Sequence, residues 1–257
     1  MPGIWTFVIV CPLIFLAGFV DAVAGGGGII SLPAFMLAGL SPHLTLGTNK
    51  AVVSFGMACS TWQYLKNGQS QLRIGIPAAA GAALGAFTGS QLALLASDDL
   101  LGGIMLVALP VVAVFLITRK DFGRDDAVPK PYSRPTQIAL AALIGFAVGI
   151  YDGMVGPGAG TFLMLGFSIV LGLNLLQASG SARLANAASG IASAVVMISA
   201  GEVYYPIVLP AILSNVLGSY LGSRYALRGG SRKIRRMMFV VLGLLFLKIG
   251  YDFLTGL

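Results

Sequence analysis

Charge is what this sequence has least of. Only 10% of its 257 residues are charged, 57% are hydrophobic, and the mean hydropathy is +0.90. Soluble domains carry about 25% charged residues, so a water-facing globule is excluded and an integral membrane protein remains. Cysteine is nearly absent. Cys11 and Cys59 both lie in apolar runs and read as small packing residues, which leaves no disulfide framework. Histidine occurs once, as His43 beside Pro42, and is expected in a loop. Without a His/Cys cluster no metal centre is expected, and without a Ser/His or His/Asp set the chain does not read as an enzyme. No GxxxxGK[ST] occurs, so nucleotide hydrolysis is not expected and no cofactor is called for. The opening "MPGIWTF" lacks a basic region, so the first apolar run is expected to stay as a helix rather than act as a cleaved leader.

What fills the chain is apolar runs, at 4–23, 29–40, 44–65, 72–96, 100–118, 136–155, 158–173, 176–200, 204–227 and 234–254. Crossing about 30 Å of hydrocarbon takes about 20 helical residues. Run 29–40 reaches only about 18 Å at about 1.5 Å per residue, and 158–173 is marginal. Each is expected either to cross in distorted form or to turn back as a re-entrant segment, and the short length favours turning back. An all-α membrane protein follows, with broken short helices and about five segments per half. Trp5, Trp62, Tyr64, Tyr204 and Tyr205 fall near expected helix ends and read as interfacial anchors.

The halves resemble each other. "GFVDAVAGGGG" at 18–28 aligns with "GIYDGMVGPGA" at 149–159, pairing Asp21 with Asp152 and Gly25 and Gly27 with Gly156 and Gly158. After a two-residue adjustment the register pairs Gly39-Leu40 with Gly172-Leu173, Gly47 with Gly180, and Lys50 with Arg183. It continues through Leu84-Gly85 with Leu217-Gly218 and Gly89-Ser90 with Gly222-Ser223. The repeats are 1–118 and 136–257, joined by the polar linker 119–135. The net charge of +7 comes mostly from connections, so it reports orientation and not nucleic-acid binding. Lys66 and Arg73, the linker, and the run 228–236 are basic, whereas Asp98, Asp99 and Glu202 mark acidic loops. The positive-inside rule then places equivalent loops on opposite sides. That is the plan of inverted-repeat transporters, whose site lies near the midplane where the repeats meet.

Two glycine-rich breaks and four matched charges are the candidate site. Consecutive glycines end a helix, and the next helix begins with N–H groups that have no intrahelical partner. Such an N-terminus in a low-dielectric cavity attracts anions. The candidate anion-binding residues are Gly25, Gly26, Gly27 and Gly28 with Thr48, Asn49 and Lys50, and Gly156, Gly158, Gly160 and Thr161 with Ser181 and Arg183. A Lys or Arg at a bilayer centre costs about 2.5–3.5 kcal/mol on lenient scales, so Lys50 and Arg183 should face the interior. Asp21 and Asp152 are expected as counter-ions or as carriers of a coupling proton. The competing reading makes each cation a structural ion pair with one of these acids. For Gly85, Gly89, Gly218 and Gly222 close helix packing is the expected role.

The segment "GFVDAVAGGGGIISLPAFMLAGLSPHLTLGTNKA" at 18–51 resembles the first signature of the sulfite exporter TauE/SafE family of membrane transporters. "GFAVGIYDGMVGPGAGTFLML" at 145–165 is similar to that family's repeated motif. The resemblance implies a multi-pass carrier of the bacterial inner membrane that moves small sulfur-containing anions such as sulfite, sulfonates or sulfoacetate. The expected partners are a small anionic substrate and the lipid bilayer. A coupling proton or cation and the oligomeric state are left open, and an anion channel is the alternative function.

Overall fold

The computed structural model describes residues 4–104 and 130–255, and every secondary-structure element within them is helical. The elements are α1 (Ile4–Ala24), α2 (Gly28–Leu37), α3 (Pro42–Lys66), α4 (Leu72–Leu95), α5 (Arg134–Met154), α6 (Ala159–Leu171), α7 (Leu175–Ser199) and α8 (Tyr205–Thr255), the last kinked at Gly230. The run expected at 100–118 beyond Ile104 and the linker up to residue 129 lie outside the described residues. Among the described residues, five stretches are long and apolar enough to span a membrane: Phe7–Ala24, α4, α5, α7 and Tyr205–Gly230. The 25-residue α3 is longer than any bilayer requires but more polar, because Thr48, Asn49, Lys50, Ser54, Ser60 and Thr61 all turn inward.

Local chemistry sets the helix limits. Ser41, Ser133 and Asn174 each accept a bond from an N–H in the first turn of the helix they open, and proline follows closely at the first two of these starts. His43 is therefore the second residue of α3 and not a loop residue as the sequence suggested: the Ser41 cap with Pro42 begins the helix before it. The aligned Gly39-Leu40 and Gly172-Leu173 each turn the chain at a helix end. Both glycines are left-handed (φ 83° and 73°), and Leu40 N and Leu173 N donate back to Phe35 O and Phe167 O. The short α2 and α6 have 10 and 13 residues. At about 1.5 Å per residue neither crosses a bilayer.

Packing does not follow the sequence halves. α4 lies along α5 and α7, which belong to the second half, and α8 lies along α1 and α3 of the first. Two bodies result: α1, α2, α3 and α8 in one, and α5, α6, α7 and α4 in the other. Their main seam is α3 against α7. Within each body the swapped helix is held by backbone-close contact. A Cβ on Gly85 would collide with Phe146 O of α5, and one on Gly218 would collide with Phe15 O of α1, so these glycines serve helix packing as expected.

Exchanging the halves maps these pairings onto one another, and it also maps individual hydrogen bonds. Gln71 N donates to Ser181 Oγ (3.1 Å), and the corresponding Tyr204 N donates to Thr48 Oγ1 (2.9 Å). Large apolar side chains face outward, among them Leu84, Leu143, Val195, Leu209 and Leu217, each at least 60% exposed. The interior holds Lys50, Asp152 and Arg183. This inside-out distribution is that of a protein solvated by lipid.

Candidate functional site

The two helix breaks cross each other at the centre. α1 stops at Ala24 because Gly25 takes φ 81°, and α5 stops at Met154 before Gly156 at φ 95°. Both angles are left-handed and disfavour any side chain. Gly25 packs against Gly160 so closely that a Cβ on Gly25 would lie 2.5 Å from Gly160 C. Thr161 Oγ1 donates to Ala24 O (2.8 Å), fastening one break to the other. Gly28, which opens α2, abuts Pro157.

Four charges surround the crossing, paired between bodies. Lys50 of α3 contacts Asp152 of α5 (Nζ–Oδ1 2.8 Å), with both side chains no more than 3% exposed. Arg183 of α7 contacts Asp21 of α1 (NH1–Oδ2 3.1 Å), with Asp21 14% exposed. Each pair therefore bridges the seam. In a low-dielectric interior an unpaired charge is costly, so each partner holds the other in place.

The pairs are not equivalent. Asp152 also accepts a bond from Ser189 Oγ, whereas the position aligned with Ser189 is Gly56, which has no hydroxyl to offer Asp21. Asp21 accepts instead from Gly27 N at 3.4 Å, a long bond to the broken backbone. Asp21 is thus the more loosely held and more accessible carboxylate. Arg183 lies over the Tyr64 ring, 6.0 Å from its centroid. Tyr64 is fully buried, and its hydroxyl lies 3.4 Å from Ala22 O. The expected interfacial anchor is instead the floor beneath the guanidinium, because its face of α3 points at α7 rather than at lipid.

A cavity of about 20 Å³ lies among these groups, lined by Asp21, Gly25, Gly27, Gly28, Asn49, Lys50, Asp152, Gly156 and Gly160 of the expected set. That space holds about one water-sized molecule. Gly26, Gly158, Thr48, Thr161, Ser181 and Arg183 do not line it. Thr48 and Ser181 accept from the N–H groups that lead into α8 and α4, Thr161 ties the breaks, and Arg183 stands behind Asp21. Asn186 also faces the cavity, as does Asn215, which sequence reasoning missed. The signal for Asn215 was an amide inside the apolar run 204–227. Arg183 Nε, Asn49 Oδ1 and Asn186 Oδ1 are buried without a hydrogen-bond partner. Buried polar atoms are nearly always satisfied; of these three, the Asn49 and Asn186 oxygens belong to residues lining the cavity, and Arg183 stands outside it.

Apolar helices around an enclosed, charged centre are the anatomy of a membrane transporter. Comparison with known proteins gives the same class. The profile of the sulfite exporter TauE/SafE family matches residues 10–249, and the chain belongs to that family. It is 35% identical over 227 residues to the probable membrane transporter protein ORF9 of a Sinorhizobium species, covering 88% of this chain and 85% of that protein. It is 32% identical over 237 residues to the probable membrane transporter protein YfcA of Escherichia coli K12, covering 92% and 87%. A probable membrane transporter protein of Haemophilus influenzae is 30% identical over 245 residues, covering 93% and 92%. No solved structure gives a significant match.

The pairing makes a stability prediction. Asp152→Asn leaves Lys50 buried without its counter-charge and should cost about 3–5 kcal/mol. The double variant Lys50→Met/Asp152→Leu should recover most of that loss. Thermal unfolding in detergent, run as a double-mutant cycle, checks it. Equal stability of Asp152→Asn and the parent would mean that the charges are not coupled.

Proposed function

We propose that the protein is a secondary transporter of a small sulfur-containing oxyanion, of the sulfite, sulfonate or sulfoacetate type, working by alternating access. The observation that carries this reading is the crossed pair of buried ion pairs at the meeting of two broken helices. Sulfur comes from the family's description, whereas the anion follows from the chemistry of the site. Lys50, Arg183 and amide groups of Asn49 and Asn186 can offer charge-assisted and neutral hydrogen bonds to an oxyanion.

The closed cluster is electrically balanced, with two cations against two carboxylates. A cavity of about 20 Å³ is too small for an oxyanion of four or more heavy atoms, so binding requires the seam to open. Opening separates both ion pairs, because each joins one body to the other. The incoming anion replaces a carboxylate as partner of Arg183, and Asp21, more exposed and without a serine partner, is the one released. A carboxylate released into a dry site takes up a proton. A singly charged anion then travels with about one proton, taken up by Asp21, and the site stays neutral.

The two halves 1–118 and 136–257, joined by the linker 119–135, are proposed to be inverted repeats. The hydrogen bonds Gln71–Ser181 and Tyr204–Thr48, related by exchange of the halves, support that reading. The rocking units are then the two mixed bodies, each containing the other half's fourth helix, because the glycine contacts forbid sliding within a body. Sidedness follows the charges. Lys66, Arg73, the linker and the basin lined by Arg232, Lys233 and Arg236 face the cytoplasm, and Asp98, Asp99 and Glu202 face out across the inner membrane.

Two measurements test this reading. In monodisperse detergent preparations, Lys50→Ala and Arg183→Ala should lose sulfite or sulfonate binding by at least about 30-fold, corresponding to about 2–5 kcal/mol for a charge pair truncated on one side. Lys66→Ala should bind like the parent. Unchanged affinity in both site variants would make the cations structural counter-ions only. For sidedness, a membrane-impermeant thiol reagent on intact cells should label Asp99→Cys and spare Lys66→Cys, and the reverse pattern would overturn the orientation.

A further inference from the structure

The seam between the two bodies is bridged once more, far from the central charges. His43 stands at the outer end of α3, in the first body. Its Nδ1 lies 2.5 Å from Asp98 Oδ1, in the connection that follows α4 of the second body. Its Nε2 lies 3.0 Å from Ala93 O in the last turn of α4. The His43 backbone N–H donates to the same Asp98 oxygen at 3.4 Å. Asp98 is itself fixed where Ser97 Oγ accepts from Leu100 N and starts the next helical stretch. The only histidine in the chain is thereby clamped between a carboxylate and a carbonyl.

The protonation state follows from the partners. Asp98 Oδ1 and Ala93 O are both acceptors. A neutral imidazole carries one N–H and can satisfy only one of them, whereas the imidazolium carries two and satisfies both. The charged groups acting on the ring are Asp98, from the α4 side, and Glu202, from the connection after α7. Both are negative and favour the same cationic state. Side-chain exposure is 13% for His43 and 53% for Asp98, so protons reach the pair from solvent without crossing the protein.

We propose that His43 and Asp98 form a proton-operated latch that closes the outer end of the seam when His43 is protonated and releases it when His43 is neutral. α3 carries the consequence inward. Lys50 stands seven residues, about two turns, beyond His43 on the same helix, so a shift of the outer end of α3 relative to α4 moves the Lys50 ammonium relative to Asp152. Histidine ordinarily titrates near about pH 6.5, within the range that the outer face of a cell meets. Acid outside therefore favours outward closure, and alkali favours opening. The latch deepens the alternating-access reading by assigning regulation to one of its two gates. It makes no use of the anion or of Asp21.

The test needs no substrate, so its outcome is separate from that of the binding measurements. Spin labels are placed at Leu37→Cys and Leu95→Cys, both largely exposed, with Cys11 and Cys59 replaced by serine. Leu37 rides with α2 and α3, and Leu95 ends α4. Distance distributions are recorded by pulsed dipolar spectroscopy on purified protein in nanodiscs at pH 5 and pH 9. The latch predicts a single short distance at pH 5 and a second, longer population at pH 9. His43→Gln and Asp98→Asn should each show the longer population at both pH values. A parent distribution that does not change with pH, or a pH response retained in His43→Gln, would overturn the latch.

Discussion

Two ion pairs, Lys50–Asp152 and Arg183–Asp21, decide what the rest of this structure must do. Each takes its cation from one helical body and its acid from the other, so the charges hold the seam shut, and neither can leave without exposing an unpaired charge to a dry interior. Everything nearby serves that arrangement. The glycine breaks let two backbones cross where side chains would collide, Tyr64 lies beneath Arg183, and Ser189 pins Asp152 but has no counterpart for Asp21. A membrane protein that wanted only stability would place aliphatic side chains here, since well-packed hydrophobic replacements of buried ion pairs are often neutral or stabilising.

The outward-facing leucines and the inward-facing hydroxyls follow from the same constraint. Lipid cannot satisfy polar groups, so α3 and α7 direct Thr, Ser and Asn toward each other and toward the bodies' swapped helices. Swapping the fourth helix of each half gives both bodies a long glycine-stitched seam with backbone from the other half. The sequence repeats are thus bound into bodies that differ from the repeats themselves.

Much of the centre was legible before any coordinates. A charge in a long apolar run is conspicuous, and the matched positions of Asp21 and Asp152, and of Lys50 and Arg183, pointed to one shared place. The expectation that glycines such as Gly85 and Gly218 pack helices also agrees with the structure. Neutral polar residues were harder. Asn215 and Ser189 carry no charge to set them apart from the many hydroxyls and amides that only join helices, and Thr48 and Ser181 turned out to be of that joining kind. Tyr64 looked interfacial from its distance to a helix end, but the facing of α3 toward α7 buries it. The swap of α4 and α8 was invisible because short connections fix which helices follow one another, not which pack together. His43 read as a loop residue because one proline hid a helix start.

We propose that an incoming anion displaces Asp21 from Arg183 and that Asp21 takes a proton as it leaves. Proton uptake on binding tests this most directly. Calorimetric titration of the purified protein with sulfite, repeated in buffers of different ionisation enthalpy, yields the number of protons taken up per anion. About one proton per bound anion is expected, in line with the coupling between ionisation and binding, and a loss of that uptake in Asp21→Asn with anion binding retained. Binding without proton uptake in the parent, or the same uptake in Asp21→Asn, would contradict it.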